Sequence, residues 1–335
     1  MSLPQRSIGN SDVKVAAIGY GTMGLASAYG PPKSQDIVDA CLHEVIKQGI
    51  QMIDTADCYS VEKLGDCETR IGKFLKANPE AREKLFIATK FGLLLGPPYF
   101  RGDRQYVFEA CQASLERLGI SQIDLFYHHR PSPTDVTETA QALKELKDAG
   151  KIRFVGVSEY NLEQLIKVNE IVHIDAIQLE ASPFSPEVFK SGFIDFCRKN
   201  GTTLCLYSPL GKGALNASPD WAKDLTDGDF RKYQDRFNED NLKANRALVD
   251  EIAKIANAKG KTPSQIAIAW LTAQGPNIIT IPGSTKPERI VENTEGIKFE
   301  LTPEELKELN SIIGSFKTAG DRWSGAASAY ATAGI

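Results

Sequence analysis

From about residue 15 to residue 295 the chain alternates short β-rich segments with longer stretches whose apolar residues recur at helical spacing. The candidate strands are 15–19, 51–54, 85–89, 125–128, 152–157, 176–179, 203–207 and 278–281, eight in all. Between them lie segments such as ETAQALKELKDAGK, amphipathic at helical spacing and ended by a glycine stop. Parallel strands need a crossover long enough for a helix, so this alternation predicts an α/β fold with a parallel sheet. Eight such units are the number that closes a (β/α)8 TIM barrel. No composition shift or low-complexity linker divides the 335 residues, so the expectation is one domain over 1–335.

Two segments break the rhythm. QRSIGNSDVKV, before the first barrel strand, reads as a β-hairpin turning at Gly9-Asn10 and placed to plug the bottom of a barrel. Between the seventh and eighth strands lies an over-long segment, 211–241, whose aromatics Trp221, Phe230, Tyr233 and Phe237 predict an ordered flap. From Thr302 one extra amphipathic helix follows, then a Gly/Ala/Ser-rich tail with Arg322 and Trp323.

Composition narrows the function classes. A formal net charge of −4 gives no pointer to nucleic acid, and no apolar run approaches the ~20 residues that span a bilayer. The N-terminus lacks the apolar core of a signal peptide, which makes a cytoplasmic setting the expectation. Six cysteines stand without C-x-x-C or metal-ligand spacing and read as reduced core residues; Cys58, beside Tyr59, is the one to watch.

A barrel brings the carboxyl ends of its strands to one rim, so residues far apart in sequence meet there. Asp54 and Tyr59 in MIDTADCYS, Lys90 in LFIATKFG and His129 in IDLFYHHRP all fall at or just past strand ends. Taken singly, each has an ordinary structural explanation: a cap, a packed ring, a surface cation, a satisfied histidine. Together they form a proton-delivery set. A phenol titrates near pH ~10, and a nearby ammonium is expected to lower that value and let Tyr59 act as an acid.

After the eighth strand, IPGSTKPERIVEN offers a hydroxyl, two cations and a helix N-terminus, which suits a phosphomonoester such as a ribose 2′-phosphate. Further strand ends supply Ser158, Gln178, Tyr207, Ser208, Leu210 and Lys212. Hydroxyl and amide groups beside an aromatic face suit a nicotinamide, which is flat and carries a carboxamide. Gly19 to Gly24 also matches G-x-G-x-x-G, with Asp54 ending the next strand. The helical pattern begins only near Ser34, however, so the helix does not open at the glycines as a Rossmann fingerprint requires.

In order along residues 5 to about 315, the motifs IGYGTMGL, DTADCY, IATKFG, DLFYHHRP, GVSEYN, YSPLGKG and IPGSTKPERIVEN resemble the aldo-keto reductase superfamily. That resemblance implies a (β/α)8 barrel binding NADPH across its top and reducing aldehydes or reactive ketones to alcohols. It implies a catalytic tetrad of Asp54, Tyr59, Lys90 and His129. Cofactor contacts would fall on Gly21, Thr22, Asp54, Ser158, Gln178, Tyr207, Ser208, Leu210 and Lys212, with Ser284, Lys286, Arg289, Glu292 and Asn293 around the adenosine phosphate. Substrate walls would come from Tyr20, Met23, Phe91, the 93–100 stretch, Tyr127, His128 and Trp323, an apolar cavity for aromatic or medium-chain aldehydes. Pyridoxal is one candidate.

The chain departs from the family pattern in three places. Glu159 replaces a common asparagine, Gly283 replaces a common lysine, and the tail is short; the flap looks like the branch holding pyridoxal reductases, bacterial general stress reductases and channel β-subunits. An NADPH-binding regulatory subunit with slow turnover is therefore one alternative, and a Schiff-base aldolase using Lys90 is another. The expected partner is a small carbonyl substrate, with no nucleic acid, no membrane, no metal, and a monomer or weak homo-oligomer.

Overall fold

The computed structural model describes residues 2–217 and 219–324. Strands β1 (Gln5–Ser7) and β2 (Lys14–Ala16) form an antiparallel hairpin with Gln5 opposite Ala16. Eight parallel strands follow: β3 (Tyr20–Gly21), β4 (Met52–Asp54), β5 (Phe86–Phe91), β6 (Ile123–His128), β7 (Ile152–Ser158), β8 (Ala176–Glu180), β9 (Thr203–Tyr207) and β10 (Ile278–Ile281). Each pairs with the next in chain order. Bridges Ile18 to Thr280 and Gly21 to Gly283 join the first to the last and close the barrel. A side chain at Gly21 would bring Cβ to 2.9 Å from the Ile281 carbonyl oxygen, so closure there needs glycine.

The first barrel strand begins later than the sequence suggests. Residues 15 and 16 belong to the hairpin, while Ala17 and Gly19 bond to Thr280 across the seam. The apolar run VAAI is continuous across both elements, so composition does not mark the switch. The hairpin does plug the bottom. Ile8 and Val15 join Met52, Ala88, Leu125, Tyr127, Cys205 and Ile279 in the barrel interior, and the Gly9 N–H donates to Thr203 Oγ1 at 2.8 Å.

Helices cover the outside because each turns an apolar stripe to the sheet. Arg104–Leu118, for example, starts where Asp103 accepts the Tyr106 N–H and ends on left-handed Gly119, burying Val107, Cys111, Leu115 and Leu118 between. A cap of that kind contributes about 1 kcal/mol. After Thr22 there is only a single turn, Met23–Ala26; the long helix Gln35–Lys47 starts behind Ser34, as expected. The extra helix is Pro303–Ser315, opened by a Thr302/Glu305 capping box.

The flap after β9 is ordered by its aromatics. Tyr29 meets Phe230 edge-on at 5.3 Å, Trp221 meets Phe237 at 6.0 Å, and Phe230 stacks towards Trp323. Arg231 sits between the rings of Tyr29 and Trp221 and pairs with Asp229. Tyr233 alone of the four predicted aromatics is exposed. All six cysteines are free thiols, and among the described residues no helix is long and apolar enough to cross a membrane.

Candidate active site

At the carboxyl end of the barrel, period-two alternation turns Phe86, Ala88 and Lys90 inward on β5. The Lys90 ammonium donates to Asp54 Oδ1 at 2.5 Å, the Thr55 carbonyl at 2.9 Å and the Tyr59 oxygen at 3.1 Å. Three N–H donors thus meet three acceptors. Asp54, the last residue of β4, accepts from Gln178 Nε2 on its other oxygen at 2.8 Å. His129 follows β6 with its ring edge-on to Tyr59 at 5.9 Å and its Nδ1 3.4 Å from Cys58 Sγ. The four residues expected to form the tetrad therefore meet in one cluster, in which Asp54, Lys90 and His129 are buried.

Their electrostatics differ from the expectation in one respect. Burial, reinforced by the Asp54 charge and opposed by Arg130, holds the Tyr59 phenol well above its ordinary value. The neighbouring Lys90 does not reverse this, because its charge is already matched by Asp54. Tyr59 consequently keeps its proton at neutral pH. Burial, with Lys90 and Arg130 nearby, pushes His129 well below its usual range, so the imidazole is neutral. The Cys58 thiol is pushed up, first by burial and then by Asp57.

Three expected substrate-wall residues face the wrong way. Tyr20 lies against the helix side with Val38, Cys41 and Leu42, its hydroxyl donating to the Ser284 carbonyl; Phe91 stacks on Phe126. His128 donates from Nε2 to the Arg101 carbonyl at 3.0 Å and accepts the Tyr160 hydroxyl at Nδ1, 2.7 Å away. The reason is the strand period: inward Lys90 and Tyr127 force Phe91 and His128 outward. Tyr127 points inward but is wholly buried in the barrel, where its hydroxyl donates to Cys205. A Cβ on Gly156 would fall 2.3 Å from its ring, so glycine makes that position possible. Met23 is half-buried in the short turn after β3, and Trp323 lies at the flap beside Phe230.

Burial pushes His128 down from 6.5 to about 4. The unfolded chain therefore binds the extra proton first, so His128 stabilises the fold fully above pH ~6.5 and loses that contribution as pH falls towards 4. About 2 kcal/mol should disappear between pH 7 and pH 5 from this group. Urea midpoints at the two pH values should show the loss, and His128→Gln should shrink it; an unchanged pH dependence in the variant would refute the assignment.

A second network fills the rim over β7, β8 and β9. Tyr207 is half-buried and donates to Glu159 Oε1 at 2.9 Å; Arg322 pairs with Glu159 at 2.6 Å. Lys212 pairs with Glu180 at 2.9 Å and lies 4.2 Å from the Trp323 ring centre. Ser158, at the end of β7, accepts from Arg130 Nη1 at 3.2 Å. Glu159, Ser208 and Lys212 all have left-handed φ near +55°, a strained cluster at a rim. Sequence reasoning missed Arg130, Glu180 and Arg322. Glu180 was within reach, since it stands two residues after Gln178 on the same inward face.

The remaining candidates lie in three places. Gly21 pairs with Asp54 in register, and both the N–H and the hydroxyl of Thr22 donate to the Asp54 carbonyl, which holds the end of β4 in place. Leu210 packs half-buried at the start of the flap. Further round the rim, Ser284, Lys286, Arg289, Glu292 and Asn293 cluster at the start of helix Pro287–Glu295. Ser284 Oγ accepts the Lys286 N–H at 3.0 Å, and Lys286 and Arg289 are exposed. Glu292 is held by Arg289 and by the Thr262 hydroxyl, and Asn293 is buried.

A closed parallel barrel that gathers a buried acid, amine and imidazole beside a protonated phenol at its carboxyl-end rim has the build of an enzyme scaffold, where such rims hold the active sites. Residues 17–314 match the Aldo/keto reductase family, and the chain belongs to it. A curated relative, the aldo-keto reductase yakc [NADP(+)] of Schizosaccharomyces pombe, is 36% identical over 330 residues, covering 96% of this chain and 95% of that protein. The glycerol dehydrogenase AKR11B4 from Gluconobacter oxydans superposes with a TM-score of 0.82 at 27% identity, over 94% of this chain and 96% of that one. A thermostable aldo-keto reductase, Tm1743, solved with the inhibitor epalrestat, gives 0.73 at 29% identity, over 92% and 99%. The chain is accordingly an oxidoreductase.

Proposed function

We propose that this protein reduces aldehydes or reactive ketones to alcohols with NADPH, Tyr59 serving as the general acid. The observation that carries the reading is the Lys90 ammonium bridging the Asp54 carboxylate and a protonated Tyr59 phenol at the rim.

The residues present fit the cofactor. Ser158 and Gln178 offer a hydroxyl and an amide beside the half-buried Tyr207 ring, a donor set suited to a nicotinamide carboxamide and its ring. Ser284, Lys286 and Arg289, at a helix N-terminus, suit a 2′-phosphate. The NADP(+) in the name of the yakc relative supports the same choice. When bound, NADPH supplies the hydride that forms the new C–H bond.

Proton delivery belongs to the chain. Tyr59 gives its proton to the carbonyl oxygen as that oxygen gains charge, and the phenolate left behind lies 3.1 Å from the Lys90 ammonium. Asp54 holds that ammonium in place. Neutral His129 donates a hydrogen bond that orients the carbonyl. Lys90 is a poor Schiff-base nucleophile here, because all three of its N–H donors are engaged, with Asp54, the Thr55 carbonyl and Tyr59. Six free thiols suit a reducing, cytoplasmic setting. Met23, the 93–100 stretch and Trp323 remain as apolar walls for an aromatic or medium-chain substrate.

The test is a panel of aldehydes followed by loss of NADPH absorbance, with NADH alongside; absence of turnover across the panel removes the reading. Arg289→Ala should weaken NADPH about 10- to 100-fold while NADH changes little, since one charge-assisted bond to phosphate is lost. Equal losses for both, measured by fluorescence titration, would remove the phosphate role from Arg289.

A further inference from the structure

Among the described residues three rim cations are matched by carboxylates, and a fourth, Arg236, has every guanidinium nitrogen bonded to Ser185 or the Gly320 carbonyl. Lys90 has Asp54, Lys212 has Glu180 and Arg322 has Glu159. Arg130 has none: no carboxylate oxygen of the described residues lies within 4.0 Å of its guanidinium. The side chain is nevertheless buried, at 5% exposure. Its Nη1 donates to two neutral acceptors, the His129 carbonyl at 2.9 Å and Ser158 Oγ at 3.2 Å, while Nε is buried with no acceptor at all. The guanidinium carbon stands 6.0 Å from the centre of the Tyr207 ring. The cation is therefore held among His129, Ser158 and Tyr207, where substrate and proton donor would meet.

A buried cation without a counter-charge is destabilising unless something supplies one. Both bonds that fix Arg130 use Nη1. The opposite edge, Nε with Nη2, is the planar fork that grips a carboxylate with two parallel hydrogen bonds. We infer that Arg130 binds an anionic group on the carbonyl substrate, so that aldehydes carrying a carboxylate are preferred over neutral aldehydes of the same size. This rests on the reductase reading for turnover, and on the orphaned fork alone for binding.

The experiment compares 4-formylbenzoate with its neutral methyl ester in the full-length protein, Arg130→Met and Arg130→Lys. In the unmodified protein kcat/KM should favour the carboxylate. In Arg130→Met the carboxylate-to-ester ratio should fall about 10- to 100-fold, the range expected for one hydrogen-bonded charge, and Arg130→Lys should recover part of it. Titration calorimetry of 4-(hydroxymethyl)benzoate against the corresponding amide should show the same split. It decides the point even if neither aldehyde is turned over, an outcome that removes the reductase reading instead. Replacing an unmatched buried charge should leave the melting temperature unchanged or raised. Equal losses for carboxylate and neutral ligands overturn the inference. So does an NADPH affinity that falls as far as in Arg289→Ala, because the anion would then be the cofactor's.

Discussion

Tyr59→Phe is expected to lower kcat for aldehyde reduction by about 10²- to 10⁴-fold, the usual contribution of a positioned general acid. NADPH affinity should stay nearly intact, because the phenol oxygen contacts Lys90 and not the residues assigned to the cofactor. The ring still packs against His129, so the fold should tolerate the change. Since burial holds the phenol well above its ordinary range, the reduction rate should be flat across neutral pH and fall only in the alkaline range, as the acid form is lost. Steady-state kinetics from pH 6 to 10 would check both points. Wild-type kcat in the variant ends the assignment of the acid; a rate falling between pH 7 and 8 ends the claim that burial dominates Lys90.

Why the phenol's direction escaped the sequence is instructive. The letters D-T-A-x-x-Y and a later lysine announce that an acid, a phenol and an amine share a rim, but not how the amine's charge is divided. That depends on the 2.5 Å contact between Lys90 and Asp54, which only folding creates. The barrel itself was legible because eight strand-helix units leave few closed parallel arrangements. The hairpin plug was legible from its turn residues, yet its boundary with the first barrel strand was not, since both are written in one apolar run. Phe91 and His128 adjoin Lys90 and His129 in sequence, which puts them near the rim without saying which way they face. Strand alternation, applied from Lys90 and Tyr127, would have turned both outward beforehand. Arg322 is a different case. It lies 163 residues from Glu159, in a tail of small residues with no pattern, and only the closed chain brings the two together.

Lys90→Met should be the more severe change, because it damages both stability and turnover. The side chains of Lys90 and Asp54 are 0% and 3% exposed, so removing the ammonium strands a carboxylate in the barrel. Breaking such a pair typically costs about 3–5 kcal/mol. Gln178 still donates to Asp54, which places the expected loss towards the lower end of that range. Turnover should fall at least as far as in Tyr59→Phe, because the phenolate formed on proton transfer loses its adjacent cation. Adding Asp54→Asn separates the two effects. The double variant removes the stranded charge and should regain most of the lost stability by urea denaturation, while its kcat stays low. A Lys90→Met protein with the unmodified urea midpoint would mean that the pair bears no buried charge. Recovery of turnover in the double variant would mean that the ammonium acts only through Asp54, and that Tyr59 does not need it to give up its proton.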